Sequence, residues 1–253
     1  MRNNQRRTGQ DPEAPPGPGP AMAFASPTEF VELPSCGEFY AEDHPLYKQE
    51  TVEIRFMTAK DEDILTSEAL LKKGLALDRL LENLLVPDVD PGTLLMGDRN
   101  ALIIAARISA YGNEYKVTIR CKECTATEEI DFDLKAASTH DACFDKEYLR
   151  EEGIVFNKQT QTFDLTLATS GVEVGLRLLD GRAERKMFKK DNDKNRVTSL
   201  LSTFLVKVNG STDFDTVADF IDAMPAKDSR YLRKIFPKLT PAIELSKLHR
   251  CEN

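Results

Sequence analysis

The chain has 253 residues, enough for one large domain or two small ones, each with its own core. Its 41% hydrophobic and 30% charged residues are a globular composition, and a formal net charge of −8 argues against a surface built mainly for nucleic acid or anionic membrane. No apolar run approaches the roughly 20 residues of a membrane span, and Pro and Gly follow the basic N-terminus where a signal peptide would have its apolar core, so a soluble intracellular protein is expected.

Residues 1–25 read as a flexible Pro-rich tail, since "DPEAPPGPGP" holds five of the 13 prolines and little that could be buried against chain entropy. In "ETVEIRFMT", Val52, Ile54 and Phe56 alternate onto one face of a strand. "TAKDEDIL" reads as a helix start with Thr58 as N-cap and Asp61 in the reciprocal position. A short helix closed by Gly74 precedes one carrying Leu77, Leu80, Leu81 and Leu84. "GDRNALIIAARISAYG" predicts a helix capped by Asp98 and closed near Gly112. "YKVTIR" and "EEIDFDL" flank "CKEC" as a β-hairpin with a knuckle at its tip. "FDLTLATSGVEVGLRLL" predicts a second hairpin, and helices follow in "NRVTSLLSTFLVKV", "TVADFIDAM" and "KDSRYLRKIF", the last capped by Asp228 and ended by Pro237. Charge-rich "RAERKMFKKDNDKNR" reads as a solvated helix face.

The expected fold class is α+β, built from two tandem related repeats. "LPSCG" (33–37) aligns with "LATSG" (167–171), and "VEIRFMT" (52–58) with "VEVGLRL" (172–178) across a 14-residue insertion, Glu38 to Thr51. Asp98, Leu102, Arg120 and Cys121 then fall on Asp228, Leu232, Arg250 and Cys251 at one offset of 130. The expected domains are a first repeat over 26–136 with the Cys-x-x-Cys hairpin, a connector over 137–160 and a second repeat over 161–253.

The cysteines are Cys36, Cys121, Cys124, Cys143 and Cys251, an odd number without a secretory signal, which speaks against a disulfide framework. The repeat places the counterpart of Cys124 at position 254. Cys121, Cys124 and Cys251, with a fourth thiolate just beyond Asn253, would form a closed tetrahedral structural zinc site. Such a zinc-ribbon-like clasp joins the two halves and leaves no open position for a substrate. Two other readings stay open: His249 as the fourth ligand, and metal-free thiols packed as small hydrophobes.

In order along the chain, "LPSCGEFY", "VEIRFMTAKDEDIL", "GDRNALIIAARISAYGNEY", "CKEC" and "DSRYLRK" with the terminal Cys resemble the T4-type phage baseplate hub subunit family, over about residues 30–253. The resemblance implies a non-enzymatic structural or assembly protein of a contractile tail. It would sit in the virion baseplate after assembly in the host cytoplasm, with other baseplate or tail proteins as partners and no nucleic acid, membrane or small-molecule substrate. The chain departs from the family pattern in its incomplete second Cys-x-x-Cys and in its Pro-rich tail.

The residues agree with a non-enzyme. There is no G-x-x-x-x-G-K-[ST], G-x-S-x-G or H-E-x-x-H motif, and His44, His140 and His249 are widely spaced. Asp61, Glu62 and Asp63 suit a helix dipole, and Asp98 and Arg107 read as a cap and a surface cation. The alternative function is a zinc-ribbon nucleic-acid-binding module, for which Lys116, Arg120 and Lys122 supply cations that "TEEIDFD" largely cancels.

Overall fold

A computed structural model describes residues 26–121, 123–140, 146–190 and 196–246. Alternating residues place β1 (Thr28–Glu32) antiparallel to β2 (Thr51–Arg55), with Val31 opposite Val52 and Glu29 opposite Ile54. Val31, Val52 and Ile54 are buried, and Phe56 lies just past the strand at intermediate exposure. The loop between the strands folds back through Gly37 at φ +69, where a Cβ would overlap the Leu46 carbonyl.

The next helix, α1 (Ala59–Thr66), starts as its sequence predicts: the Thr58 N–H and hydroxyl both donate to the Asp61 carboxylate, at 2.9 and 2.7 Å. α2 (Glu68–Lys73) ends at left-handed Gly74, and α3 (Ala76–Leu84) buries Leu80, Leu81 and Leu84. Leu77 belongs to the same stripe but is 39% exposed, because it lines a groove between the α2–α3 turn and the later helix at Glu184 and Arg185.

α4 (Met96–Tyr111) begins earlier than expected. Leu95 is its extended cap residue, and Asp98 lies inside the first turn. β3 (Glu114–Arg120) and β4 (Thr127–Asp133) form the expected knuckle hairpin, with Arg120 opposite Thr127. Ile130, midway along β4, and Leu134, at the base, are buried but stand outside the main core cluster, so this hairpin is an arm on the body of the molecule. β5 (Ser138–His140) and α5 (Lys146–Glu151) follow.

β6 (Val155–Asn157), β7 (Thr162–Thr166) and β8 (Glu173–Leu176) lead into α6 (Gly181–Lys190) and α7 (Arg196–Phe204). The expected second hairpin is β7–β8, within a four-stranded antiparallel sheet of order β6-β7-β8-β9. β6, from the stretch read as a connector, is one edge of that sheet. The other edge is β9 (Leu205–Val208), which corrects the expectation of an unbroken helix through "FLVKV". Tertiary pairing overrides the local helical pattern there: Val206 and Val208 suit a strand, and Lys207 reaches Asp164 across the sheet.

α8 (Phe214–Ala223) precedes α9 (Ala226–Leu239), where two more expectations change. Asp228 is not the N-cap, since the helix starts after Pro225. Pro237 does not end the helix but lies in its last turn, where one missing N–H costs a single bond and buried Leu239 holds the end in place. Finally β10 (Ala242–Glu244) pairs antiparallel with β5, and the Pro241 carbonyl lies against Gly97, leaving no room for a Cβ.

One hydrophobic cluster runs through both halves, from Leu33, Ile54 and Leu81 to Phe163, Leu176 and Leu232. The 33–50 loop sends Phe39 onto Phe156 and Phe163 at ring distances of 5.0 and 5.4 Å. The two hairpins close alike: the Leu33 N–H donates to Glu50 O at 2.8 Å, and the Leu167 N–H to Val172 O at 2.9 Å. These closing pairs make the first loop longer by twelve residues, not the fourteen of the sequence alignment, because the pairing places Val52 against Val174 and not Val172. An even shift keeps the same side chains inward.

Candidate functional site

Two of the buried aspartates, Asp98 and Asp228, each hold a loop. Asp98 is fully buried, and its carboxylate accepts from the Ser35 N–H (2.9 Å), the Ser35 hydroxyl (2.5 Å) and the Tyr40 hydroxyl (2.8 Å). Tyr40 oxygen in turn accepts from the Leu95 N–H at 3.0 Å, so the chain of bonds ties the first turn of α4 to the loop after β1. Burial pushes the Asp98 carboxyl up despite these three donors, and burial followed by the Asp98 charge pushes the Tyr40 phenol well up.

In α9, Asp228 occupies the corresponding place. Its carboxylate accepts from the backbone N–H groups of Thr169 (3.2 Å) and Ser170 (2.9 Å), in the loop after β7. Burial opposes ionisation here too, but the Thr169 and Ser170 donors outweigh it and hold the carboxyl below its ordinary range. In each half, then, an aspartate in the first turn of a long helix holds the loop that leaves a hairpin strand. Neither acts on its own helix, because both helices start earlier and the carboxylates point to the neighbouring loop.

A second polar layer joins the halves through ion pairs. Arg99 spans Asp78 (2.9 Å) and Glu184 (2.7 Å), Arg185 reaches Asp78 at 2.8 Å, and Arg182 reaches Asp90 at 2.7 Å. Arg99 and Asp78 are 5% and 6% exposed, so this is a desolvated pair. The charged face of α6 is therefore engaged with the first half and not merely solvated. Nearby backbone bonds run the same way, from Met96 N–H to Leu179 O (2.9 Å) and Gly181 N–H to Leu94 O (3.1 Å). Sequence reasoning missed Ser35, Tyr40, Asp78, Arg99 and Glu184. The adjacent Asp98 and Arg99, one helical turn before the apolar run "ALIIAA", were the available signal, since charges on a buried face need partners.

Cys121 and Cys124 lie at the tip of the β3–β4 arm. The Cys121 N–H donates to Ala126 O (2.8 Å) and the Thr125 N–H to Cys121 O (3.1 Å), with Thr125 left-handed at φ 62. This turn carries two cysteines, Cys124 exposed and Cys121 half-buried, whose thiolates are the donor type for two positions of a tetrahedral site. Among the described residues no group of three or more His, Cys, Asp or Glu is placed to hold a metal. Cys251, His249 and Cys143 lie outside the described residues. Lys116, one of the arm's cations, faces Glu129 (3.2 Å) and Asp131 (3.7 Å) across the hairpin.

The remaining candidates have structural roles. His44 uses both ring nitrogens, on Thr93 Oγ1 (2.9 Å) and the Leu46 N–H (3.1 Å), stacks on Tyr40, and is pushed toward the neutral form by burial. Asp61 takes the Arg55 fork at 2.7 and 2.9 Å. Burial alone would raise its carboxyl, but Arg55 and Thr58 hold it far below the ordinary range. Arg107 bonds the carbonyls of Gly112 and Glu114 at the end of its own helix, apart from Asp98. No helix among the described residues is long and apolar enough to cross a membrane.

Comparison with known proteins gives no match among curated proteins or solved structures. The family model described as T4 bacteriophage base plate protein matches residues 28–253, which takes in both hairpins, both aspartate clamps, the ion-pair layer and the knuckle arm. That family gives the chain a structural role in a phage baseplate and, with it, other tail proteins as neighbours. The chain belongs to the T4 bacteriophage base plate protein family.

Proposed function

We propose that this chain is a non-enzymatic subunit or assembly factor of the baseplate hub, working through protein–protein contacts in the virion after assembly in the host cytoplasm. The family match over residues 28–253 carries this reading. The architecture supports it: the conspicuous polar groups are spent on joining loops, helices and halves, and large apolar side chains such as Phe30 (71%) and Phe214 (75%) are presented outward.

Within this function the two halves are related repeats clasped by a structural zinc. The paired closing bonds after β1 and β7, and the two aspartate clamps at an offset of 130, support the repeat. The clasp is supported by the β3–β4 arm, because a two-stranded hairpin outside the core is marginal alone. It is supported also by β10, which brings the chain's last described strand onto β5, the segment leaving that arm. Cys121, Cys124, Cys251 and a thiolate just beyond Asn253 would hold the metal, which stiffens the arm and supplies no reaction.

Deletion of the gene from its phage tests the function. Electron microscopy of infected cells is expected to show tail assembly stopped at baseplates without a complete hub; infectious tails from the deletion phage would reject it. For the clasp, metal analysis of the full natural protein is expected to give about one zinc per chain, lost in Cys121→Ser and Cys124→Ser. Unchanged metal content in both variants rejects the assignment.

A further inference from the structure

The two hairpins offer an internal comparison of their outer edges. Counting from the closing pair Leu167–Val172, residues 163 and 165 of β7 bond β8, while Thr162 and Asp164 turn their backbone groups outward. β6 takes those groups, with Asn157 opposite Thr162 and Val155 opposite Asp164. Counting the same way from Leu33–Glu50, Glu29 and Val31 bond β2, and Thr28, Phe30 and Glu32 face out. β1–β2 is a two-stranded sheet, and among the described residues no strand lies beyond β1. All three outward residues are exposed, Phe30 to 71%. An open edge with a large apolar side chain is a template for another strand.

The inner face of β1 says what kind of strand fits. Where β7 has Phe163, covered by Phe156 of β6 at 4.9 Å, β1 has Glu29, and its Oε1 is buried with no hydrogen-bond partner. Glu32, Glu50 and Glu53 add negative charge around the edge, and Glu53 is the cross-strand neighbour of Phe30. The nearest cation on this sheet, Arg55, is committed to Asp61.

We propose that the outer edge of β1 receives an extended segment of another tail protein, antiparallel across Thr28 and Phe30 as β6 lies across β7, with a Lys or Arg reaching Glu29. Main-chain bonds to Thr28 and Phe30 hold the segment, an apolar residue packs beside Phe30, and the cation supplies the donor that Glu29 Oε1 lacks. The inference rests on the proposed baseplate role.

The test is photo-crosslinking during infection, with p-benzoylphenylalanine at Phe30, or at exposed Thr216 of α8 as a control, in chain supplied to a phage lacking its gene. Attachment of the Phe30 probe to one tail protein, at a stretch with Lys or Arg next to the attachment point, is expected, together with at least a tenfold lower yield in Glu29→Lys and a smaller loss in Glu29→Gln. Unchanged melting of both variants shows that the loss is one of contact. Attachment to a second copy of this chain or to residues 1–25 of the same chain would overturn the proposal. So would a Glu29→Lys yield equal to wild type, or no adduct at Phe30 while the chain is incorporated into tails. Tail assembly completed without the chain would reject the baseplate role as well, so the two failures are distinguishable.

Discussion

Replacing Asp98 by Ala removes the acceptor for three donors at once, inside a site with no solvent access. The Ser35 and Tyr40 hydroxyls can turn toward other acceptors, at a loss of about 1 kcal/mol each, but the Ser35 N–H is fixed by the backbone. A buried N–H left without a partner costs about 1–3 kcal/mol, so the sum is about 4 kcal/mol. In a chain of this size 1 kcal/mol lowers Tm by about 2–4 °C, which gives a drop of about 8–16 °C by scanning calorimetry. Asp98→Asn keeps an oxygen for the Ser35 N–H and should lose about half as much.

The pH dependence gives a second readout. The folded Asp98 carboxyl is raised above its unfolded value, so its contribution to stability is complete at low pH and is lost as pH rises through the folded pKa. Asp98→Asn lacks that loss, so its deficit against wild type should shrink from pH 4 to pH 7. A loss below about 1 kcal/mol in Asp98→Ala, equal losses in the two variants, or an Asp98→Asn deficit that does not shrink from pH 4 to pH 7 would refute the reasoning.

Asp228 should behave with the opposite sign: its folded carboxyl is lowered, so its contribution is present above the unfolded pKa and disappears as pH falls through the folded one. Asp228→Asn is therefore expected to cost about 1–2 kcal/mol at pH 7 and less as pH falls toward 2, measured by urea unfolding at both pH values. Arg99→Ala leaves Glu184 without its partner and Asp78 with Arg185 alone, and is expected to cost about 3 kcal/mol, the lower end of the penalty for breaking a buried pair. Arg99→Lys should recover less than half of it, because an ammonium cannot span two carboxylates as the guanidinium fork does, and a lysine variant as stable as wild type would contradict this. Gly97→Ala places a methyl group on the Pro241 carbonyl, so hydrogen exchange should show β10 losing protection while β7 and β8 keep theirs. Unchanged protection over Ala242–Glu244 would show that the close approach is not needed.

Much of the local structure is set by sequence alone. The Thr58–Asp61 start of α1, the Gly74 stop of α2, the Arg120–Thr127 knuckle hairpin and the β7–β8 hairpin follow from capping chemistry, left-handed glycine and period-two alternation, all of which act between near neighbours. The two cysteines of the knuckle are legible for the same reason. What only the tertiary structure decided involves partners distant in sequence. Asp98 and Asp228 look like N-caps in isolation, but they turn to loops 63 and 59 residues away, because buried carboxylates go where the backbone N–H groups are. "FLVKV" reads as the end of a helix until β8 offers it a ladder and Asp164 offers Lys207 a carboxylate. Arg99 shows as a helix residue and only folding brings Glu184 to it, 85 residues on. The open edge of β1 is of this second kind: alternation marks the strand, but that β7 has a strand on its outer side and β1, among the described residues, does not is decided by where β6 packs.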